Sequence, residues 1–182
     1  MAHRRFSDSG VPISASVPNE CWAFEVCDIK IAYGRRVHIF GVIDLFSREC
    51  LHLEVVTRIS LSKITTALDV IVSQRKKPSW LVSDYAFVWQ GVISTWCAAN
   101  DVSWNSIWAS SPSGRGAVER VFGRLSVELV LSHQLRSREE LSQGLQAWRE
   151  WYNATSNLAP KYSRRKLAHS ARGLGFLPGI RS

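Results

Sequence analysis

The chain has 182 residues and is 46% hydrophobic, with 8 Trp and 7 Phe, so one compact domain with a full core and short tails is expected. Lys and Arg number 23 against 15 Asp and Glu, a net charge of +8 and a pI near 9.7 that point to a polyanionic partner. No apolar run approaches the ~18 residues of a membrane span, which favours nucleic acid over a bilayer. The first ten residues hold no apolar signal core, so secretion is not indicated. Cys21, Cys27, Cys50 and Cys97 show no C-x-x-C pairing and have apolar neighbours; they read as reduced core residues of a cytoplasmic protein.

Residues 1–18, with Ser, Gly and Pro at frequent intervals, read as a flexible lead-in that joins something upstream. Three apolar runs follow, Cys21 to Ile31, Arg36 to Asp44 and Glu49 to Thr57, separated by two turn-sized gaps and rich in Val, Ile, Trp and Phe. That pattern predicts an antiparallel meander. Alternation of Leu51, Leu53 and Val55 predicts a third strand exposed on one face. Leu61, Ile64, Leu68, Ile71 and Val72 have helical spacing behind a capping Ser60, and Pro78 stops that helix. Trp80-Leu-Val-Ser83 is a short buried strand, a helix from about Val88 to Asn100 follows, and Val102 to Trp108 is a last strand. Strands alternating with helices predict that this half of the sheet is parallel.

The stretch Ser110 to Leu125 carries the greatest functional interest. Its Ser-Pro-Ser-Gly start reads as a loop, either a mobile one at an active site or a plain connection, and it runs into an amphipathic helix. Val118, Val121, Phe122, Leu125 and Leu129 form one apolar stripe, and Glu119 falls at its edge. Ser137-Arg-Glu-Glu140 predicts a capping box for a long helix through about Tyr152, before a basic tail, 156–182. Three antiparallel strands followed by α-β-α-β-α is the element order of the ribonuclease-H-like α/β fold, a five-stranded mixed sheet of order 3-2-1-4-5 flanked by helices. In it the first and fourth strands are neighbours, so Glu25 and Asp84 come together with Glu119 arriving from the helix above. Three converging acids repel unless cations bind, which implies divalent metal. The oxygen-only ligand set favours a two-ion Mg²⁺ or Mn²⁺ site suited to phosphodiester displacement.

Several motifs resemble the DDE transposases of bacterial insertion sequences, relatives of retroviral integrases. They are Pro18-Asn-Glu-Cys-Trp22 with Glu25, Gly34-Arg-Arg36, Val42-Ile-Asp-Leu-Phe-Ser-Arg-Glu-Cys-Leu51, Val82-Ser-Asp84, Pro112 with Gly116-Ala-Val-Glu119, and Ala147-Trp-Arg-Glu-Trp-Tyr-Asn153. The resemblance implies a catalytic core over 19–155, with Glu25, Asp84 and Glu119 as catalytic metal ligands. It further implies DNA cleavage and strand transfer at transposon ends, a homo-oligomer, and a bacterial, nucleoid-associated setting. Between the second and third acids, 119 − 84 − 1 = 34 residues intervene, one fewer than usual in the family.

The chain departs from the family pattern at particular positions. Glu25 stands where the family has Asp, and one extra methylene moves a carboxylate by ~1.5 Å, against a tolerance of about 0.2 Å in metal–ligand distance. Asp28 is the nearby substitute, yet three residues along a strand it points to the opposite face and would need a bulge. Tyr85-Ala86 replaces the family's Asn-Gly, Arg115 replaces an Asn, and Thr155-Ser-Asn-Leu158 replaces Arg-Pro-His. The alternative function is therefore a degenerate core that binds DNA or a partner without chemistry. Asp44 reads as a turn acid bonding its own backbone. Arg35, Arg36 and Arg48 are either phosphate contacts or solvated turn charges. Arg115, Arg120 and Arg124 are either surface ion pairs or contacts to a DNA strand. Trp89, Trp96, Trp104 and Trp108 either stack on bases or, as indoles on predicted core elements more often do, fill core volume.

Overall fold

The computed structural model describes residues 15–31, 34, 36–56, 60–83, 86–105, 112–131 and 135–156. Three strands come first: β1 (Cys21–Lys30), β2 (Arg36–Asp44) and β3 (Cys50–Val56). Then follow α1 (Leu61–Gln74), β4 (Trp80–Ser83), α2 (Ala86–Ala99), β5 (Ser103–Asn105), α3 (Pro112–Leu125) and α4 (Arg138–Ser156). The sheet order is β3-β2-β1-β4-β5. β2 is antiparallel to both β1 and β3, while β1–β4 and β4–β5 are parallel. This is the ribonuclease-H-like arrangement expected from the element order.

The period-two alternation of a strand divides the core into two layers. Cys21, Ala23, Ile39 and Ile43 face α3 and α4, and Trp22, Phe24, Val26, Phe40 and Val42 face α1 and α2. The turn out of β1 uses Gly34 at φ +71°, a region only glycine enters freely. In the β2–β3 turn Asp44 is 2% exposed. Its Oδ1 accepts from Phe46 N at 3.0 Å and its Oδ2 from Ser47 Oγ at 2.9 Å, which is the self-bonding turn acid predicted for it. Oδ2 also accepts from Asn19 N at 3.1 Å, so the same carboxylate fastens the segment before β1. Glu20, also buried, accepts from Val17 N at 3.3 Å, and its own carbonyl takes Ser79 N and Trp80 N at the start of β4.

β3 departs from the expectation of one exposed face. His52 pairs with Val42 and Cys50 with Ile43, so Leu51 is an extra residue, a bulge. The bulge breaks the alternation: Leu51 packs with the α1–α2 layer while Val55 packs with the α3–α4 layer. A bulge also leaves backbone groups without ladder partners, and α4 supplies them. Asn153 Oδ1 accepts from Cys50 N at 2.8 Å, Asn153 Nδ2 donates to Cys50 O at 2.9 Å, and Arg149 Nη1 donates to Leu51 O at 3.0 Å.

Among the helices, Ser60 caps α1 by accepting from Lys63 N at 3.3 Å. Ser137 Oγ accepts from Glu140 N at 3.0 Å, and the Glu140 carboxylate reaches back to Arg136 N at 2.7 Å, one residue before the predicted box partner. α4 continues four residues past Tyr152. The Ser-Pro-Ser-Gly stretch read as a loop is in part the first turn of α3, which begins at Pro112. Proline is tolerated at the first helical position because its missing N–H has no helical partner there anyway. Beyond Leu125 the chain widens into a π-helical turn, Ser126–Leu131.

α3 lies close on the sheet because Gly41, in mid-β2, has no side chain. A Cβ there would meet Phe122 Cζ at 2.6 Å and Leu53 Cδ2 at 2.9 Å. Phe122 is buried, so its ring has little room to retreat. Gly41→Ala is expected to lower unfolding stability by about 1–3 kcal/mol, the usual cost of overpacking. Adding Phe122→Leu should recover part of that loss, as read by paired thermal and urea denaturation.

Candidate active site

Glu25 lies midway along β1, opposite Gly41 of β2. Between Ala23 and Cys27 on the strand, it occupies the face that α3 covers, and it is half-buried. Its charge is felt by Cys27, whose thiol is pushed up to about 12 chiefly by burial and next by Glu25. β4 runs parallel beside β1 and its last register pair is Phe24 with Ser83, one residue short of Glu25 on β1 and of Asp84 on β4. Asp84 itself lies outside the described residues.

Glu119 is on α3, three residues before Phe122, so the ring that sits over Gly41 brings its turn of helix to the sheet beside Glu25. Its side chain is 60% exposed and accepts from Arg115 Nε at 2.8 Å, one turn back. The stripe of Val118, Val121, Phe122, Leu125 and Leu129 is buried as predicted, which leaves Glu119 at its edge. Asp28 takes the opposite face of β1, as strand geometry requires, and its carboxylate contacts His38 Nδ1 across the β1–β2 pair. β1 pairs with β2 without a bulge from Trp22 to Lys30, so nothing turns Asp28 towards Glu25.

The arginines divide by their contacts. Arg124 Nε donates to Glu128 Oε1 at 3.0 Å, and its guanidinium stacks 5.5 Å from the Trp151 ring centroid and 5.2 Å from that of Tyr152. Glu128 Oε2 accepts from Trp148 Nε1 at 3.0 Å, so this group joins α3 to α4. Arg36 and Arg120 are exposed, and Arg35 lies outside the described residues. Arg48 takes φ 64°, a conformation that costs an ordinary residue roughly 1–2 kcal/mol. Burial and then the neighbouring Arg120 charge lower its pKa. Trp96 and Trp104 belong to the α1–α2 layer; Trp108 and the side chain of Trp89 lie outside the described residues.

Among the described residues no three His, Cys, Asp or Glu side chains cluster as a metal site. The chemistry of the donors there is nonetheless informative. Cys27, the soft ligand nearest Glu25 along the strand, holds its proton far above neutral pH and so does not offer a thiolate. What remains on that face is carboxylate oxygen, the donor of hard cations. The Gly41–Phe122 contact escaped sequence reading, although a glycine inside a strand, where it weakens the sheet, signals a close approach.

Comparison with known proteins agrees with this architecture. Residues 15–112 match the integrase core domain family, and 100–155 match a second family of the same description. The chain belongs to the integrase core domain family, as a DDE-type transposase or integrase catalytic core. It is 27% identical over 137 residues to an uncharacterized 31.7 kDa protein of insertion element IS407 from Burkholderia multivorans, covering 75% of this chain and 50% of the relative. A 39.2 kDa protein of IS476 from Xanthomonas euvesicatoria is 24% identical over 143 residues, covering 78% and 41%. The chain thus spans half or less of the length of these curated relatives. Among solved structures, the HTLV-2 integrase catalytic core in complex with magnesium, in its dimeric form, superposes with a TM-score of 0.54 at 16% identity, covering 72% of this chain and 86% of that one. A simian T-cell lymphotropic virus intasome in complex with the PP2A regulatory subunit B56 gamma gives 0.61 at 19% identity, covering 100% and 62%.

The Arg115–Glu119 pair is exposed on both sides, and such pairs contribute about 0–1 kcal/mol. Arg115→Gln is expected to change unfolding stability by less than about 1 kcal/mol in chemical denaturation, leaving Glu119 available to other cations.

Proposed function

We propose that the chain is the catalytic core of a bacterial insertion-sequence transposase, acting in the cytoplasm on nucleoid DNA. It would cut a phosphodiester at the element's ends and join the freed 3′-hydroxyl to target DNA. The observation that carries this reading is the seating of Phe122 over Gly41, which sets the turn of α3 bearing Glu119 against the strand bearing Glu25. Asp84 follows directly on Ser83, whose register partner is the residue before Glu25.

Glu25, Asp84 and Glu119 would hold Mg²⁺ or Mn²⁺ between them. When bound, a pair of such ions activates the attacking oxygen and stabilises the leaving one. The protein's own part is to fix the three carboxylates on separate rigid elements and to release Glu119 from Arg115. The exposed Arg120 and Arg36, together with Arg35, would orient the phosphate backbone, so binding should weaken steeply with salt. Arg115 would join them once Glu119 turns to metal. Arg124, held by Glu128, would contribute its field more than a direct contact. Pairing two DNA ends requires at least two protomers, in keeping with the dimeric form of the HTLV-2 core.

A second reading, a core that binds DNA or a partner without chemistry, is favoured by one observation: Glu119 is held by an arginine while the longer Glu stands at 25. The two readings separate by experiment. Under catalysis, Glu25→Asp retains or raises Mn²⁺-dependent nicking and strand transfer of an end-bearing duplex, whereas Asp84→Asn and Glu119→Gln each cost ~100-fold or more, the upper end of the loss seen even for outer partners of a metal site. Salt-sensitive DNA binding with neither cleavage nor a Mn²⁺-dependent melting shift would leave only the second reading.

A further inference from the structure

We propose that Lys30 and Arg36, opposite each other at the end of the β1–β2 hairpin, form a contact for the phosphate backbone of duplex DNA, apart from the place where the strand is cut. The proposal rests on the DNA-binding reading above and adds a second point of contact to it. Lys30 and Arg36 are the outermost register partners of the hairpin, and β1 pairs with β2 without a bulge from Trp22 to Lys30. Side chains of directly opposed residues share one face, with Cβ atoms about 4.5–5.5 Å apart. Among the described residues the pairing of β2 with β3 reaches only His38, and that of β1 with β4 only Phe24, so the hairpin end extends past both neighbouring strands. Both side chains are exposed there.

Three features argue that the pair meets an anion. Like charges directly opposite each other destabilise a strand pair, yet here a lysine faces an arginine. Among the described residues no carboxylate forms an ion pair with either one, whereas Arg75, Arg115 and Arg124 each have such a partner. Asp28 stands on the same face, but its carboxylate contacts His38 Nδ1, its own partner in the next same-face pair inward. The reverse side of the hairpin end is apolar, with Ile31 and Val37 buried in the α3–α4 layer and Ile29 packed against it. That packing fixes the backbone under the two cations, so little order has to be gained on binding. A guanidinium fork beside an ammonium suits the oxygens of a phosphate. Five residues of strand separate Lys30 from Glu25, about 17 Å, and the two point to opposite faces, so the phosphate held here is not the one at the carboxylates.

The test is duplex DNA binding by the full chain, measured as a function of salt. Lys30→Gln and Arg36→Gln should each weaken binding about tenfold, the value of one charge-assisted contact, and reduce the slope of log K against log salt by about 0.9. Lys76→Gln removes the same charge from an exposed position next to Arg75, which is paired with Glu49 at the opposite end of the sheet. It should change binding by less than roughly twofold, since charges beyond a screening length are felt weakly. Lys30→Glu puts an acid opposite Arg36; it should melt at or above the wild-type temperature, because attraction replaces repulsion, and yet bind DNA more weakly than Lys30→Gln. An equal loss in Lys76→Gln, unchanged binding in Lys30→Gln and Arg36→Gln, or a lowered melting temperature in Lys30→Glu would overturn the proposal. Wild-type protein with no salt-sensitive DNA binding would instead overturn the broader DNA reading.

Discussion

The site proposed for this chain depends on how closely α3 can lie on the sheet. That distance is set where the Phe122 ring rests over Gly41, with Leu53 alongside. Any side chain at 41 would lift the helix, and with it Glu119, away from the strand that carries Glu25. The cost is a glycine in mid-strand, which loses backbone entropy and contributes no packing of its own. A buried aromatic ring more than fills the space, since burying a Phe side chain is worth about 1.5–3 kcal/mol. Packing and site geometry are thus one constraint seen from two sides.

The second constraint is the joint between α3 and α4. A bulge in β3 leaves Cys50 and Leu51 with backbone groups to satisfy, and Asn153 and Arg149 satisfy them from α4. Trp148 and Tyr152, on the same stretch, stack at 4.8 Å and reach Glu128 and the Arg48 carbonyl. The Ala147–Asn153 motif therefore has a structural meaning: Trp148, Arg149, Tyr152 and Asn153 tie the last helix to an irregular point of the sheet, to the β2–β3 turn or to the end of α3. It also fixes the β2–β3 turn, so the arginine there is held by the same helix that positions α3.

Much of this was legible in the sequence, and for physical reasons. Strand order and helix stripes follow from periodicity: Val118 through Leu129 and Ile64 through Ile71 read directly as buried faces. Asp44 was legible because a turn acid has few other uses. The bulge was not, because one extra residue in a strand leaves the hydrophobic pattern of Leu51, Leu53 and Val55 looking regular while reversing its direction in space. The helical start of α3 was hidden by Pro112, Gly114 and Gly116, residues of poor propensity that packing overrides. Of the candidate site, the face of Glu25 followed from alternation. The ion pair that holds Glu119 depends on rotamers, which sequence spacing allows but does not choose.

The carboxylates that hold the fold are largely a different set from those proposed to do chemistry. Glu20, Asp44, Glu49 and Glu128 are drawn into turns, ion pairs and helix joints. Glu119 stands out in solvent on an exposed pair that contributes little to stability. A scaffold arranged this way can lose its chemistry without losing its shape, because nothing in the packing of α3 requires an acid at 119. The same separation lets the fold accommodate a longer side chain at 25, because helix and strand positions do not depend on which acid stands there. Persistence of the fold is therefore a poor guide to activity in this chain, and under the proposed chemistry the carboxylate geometry at Glu25 would decide it.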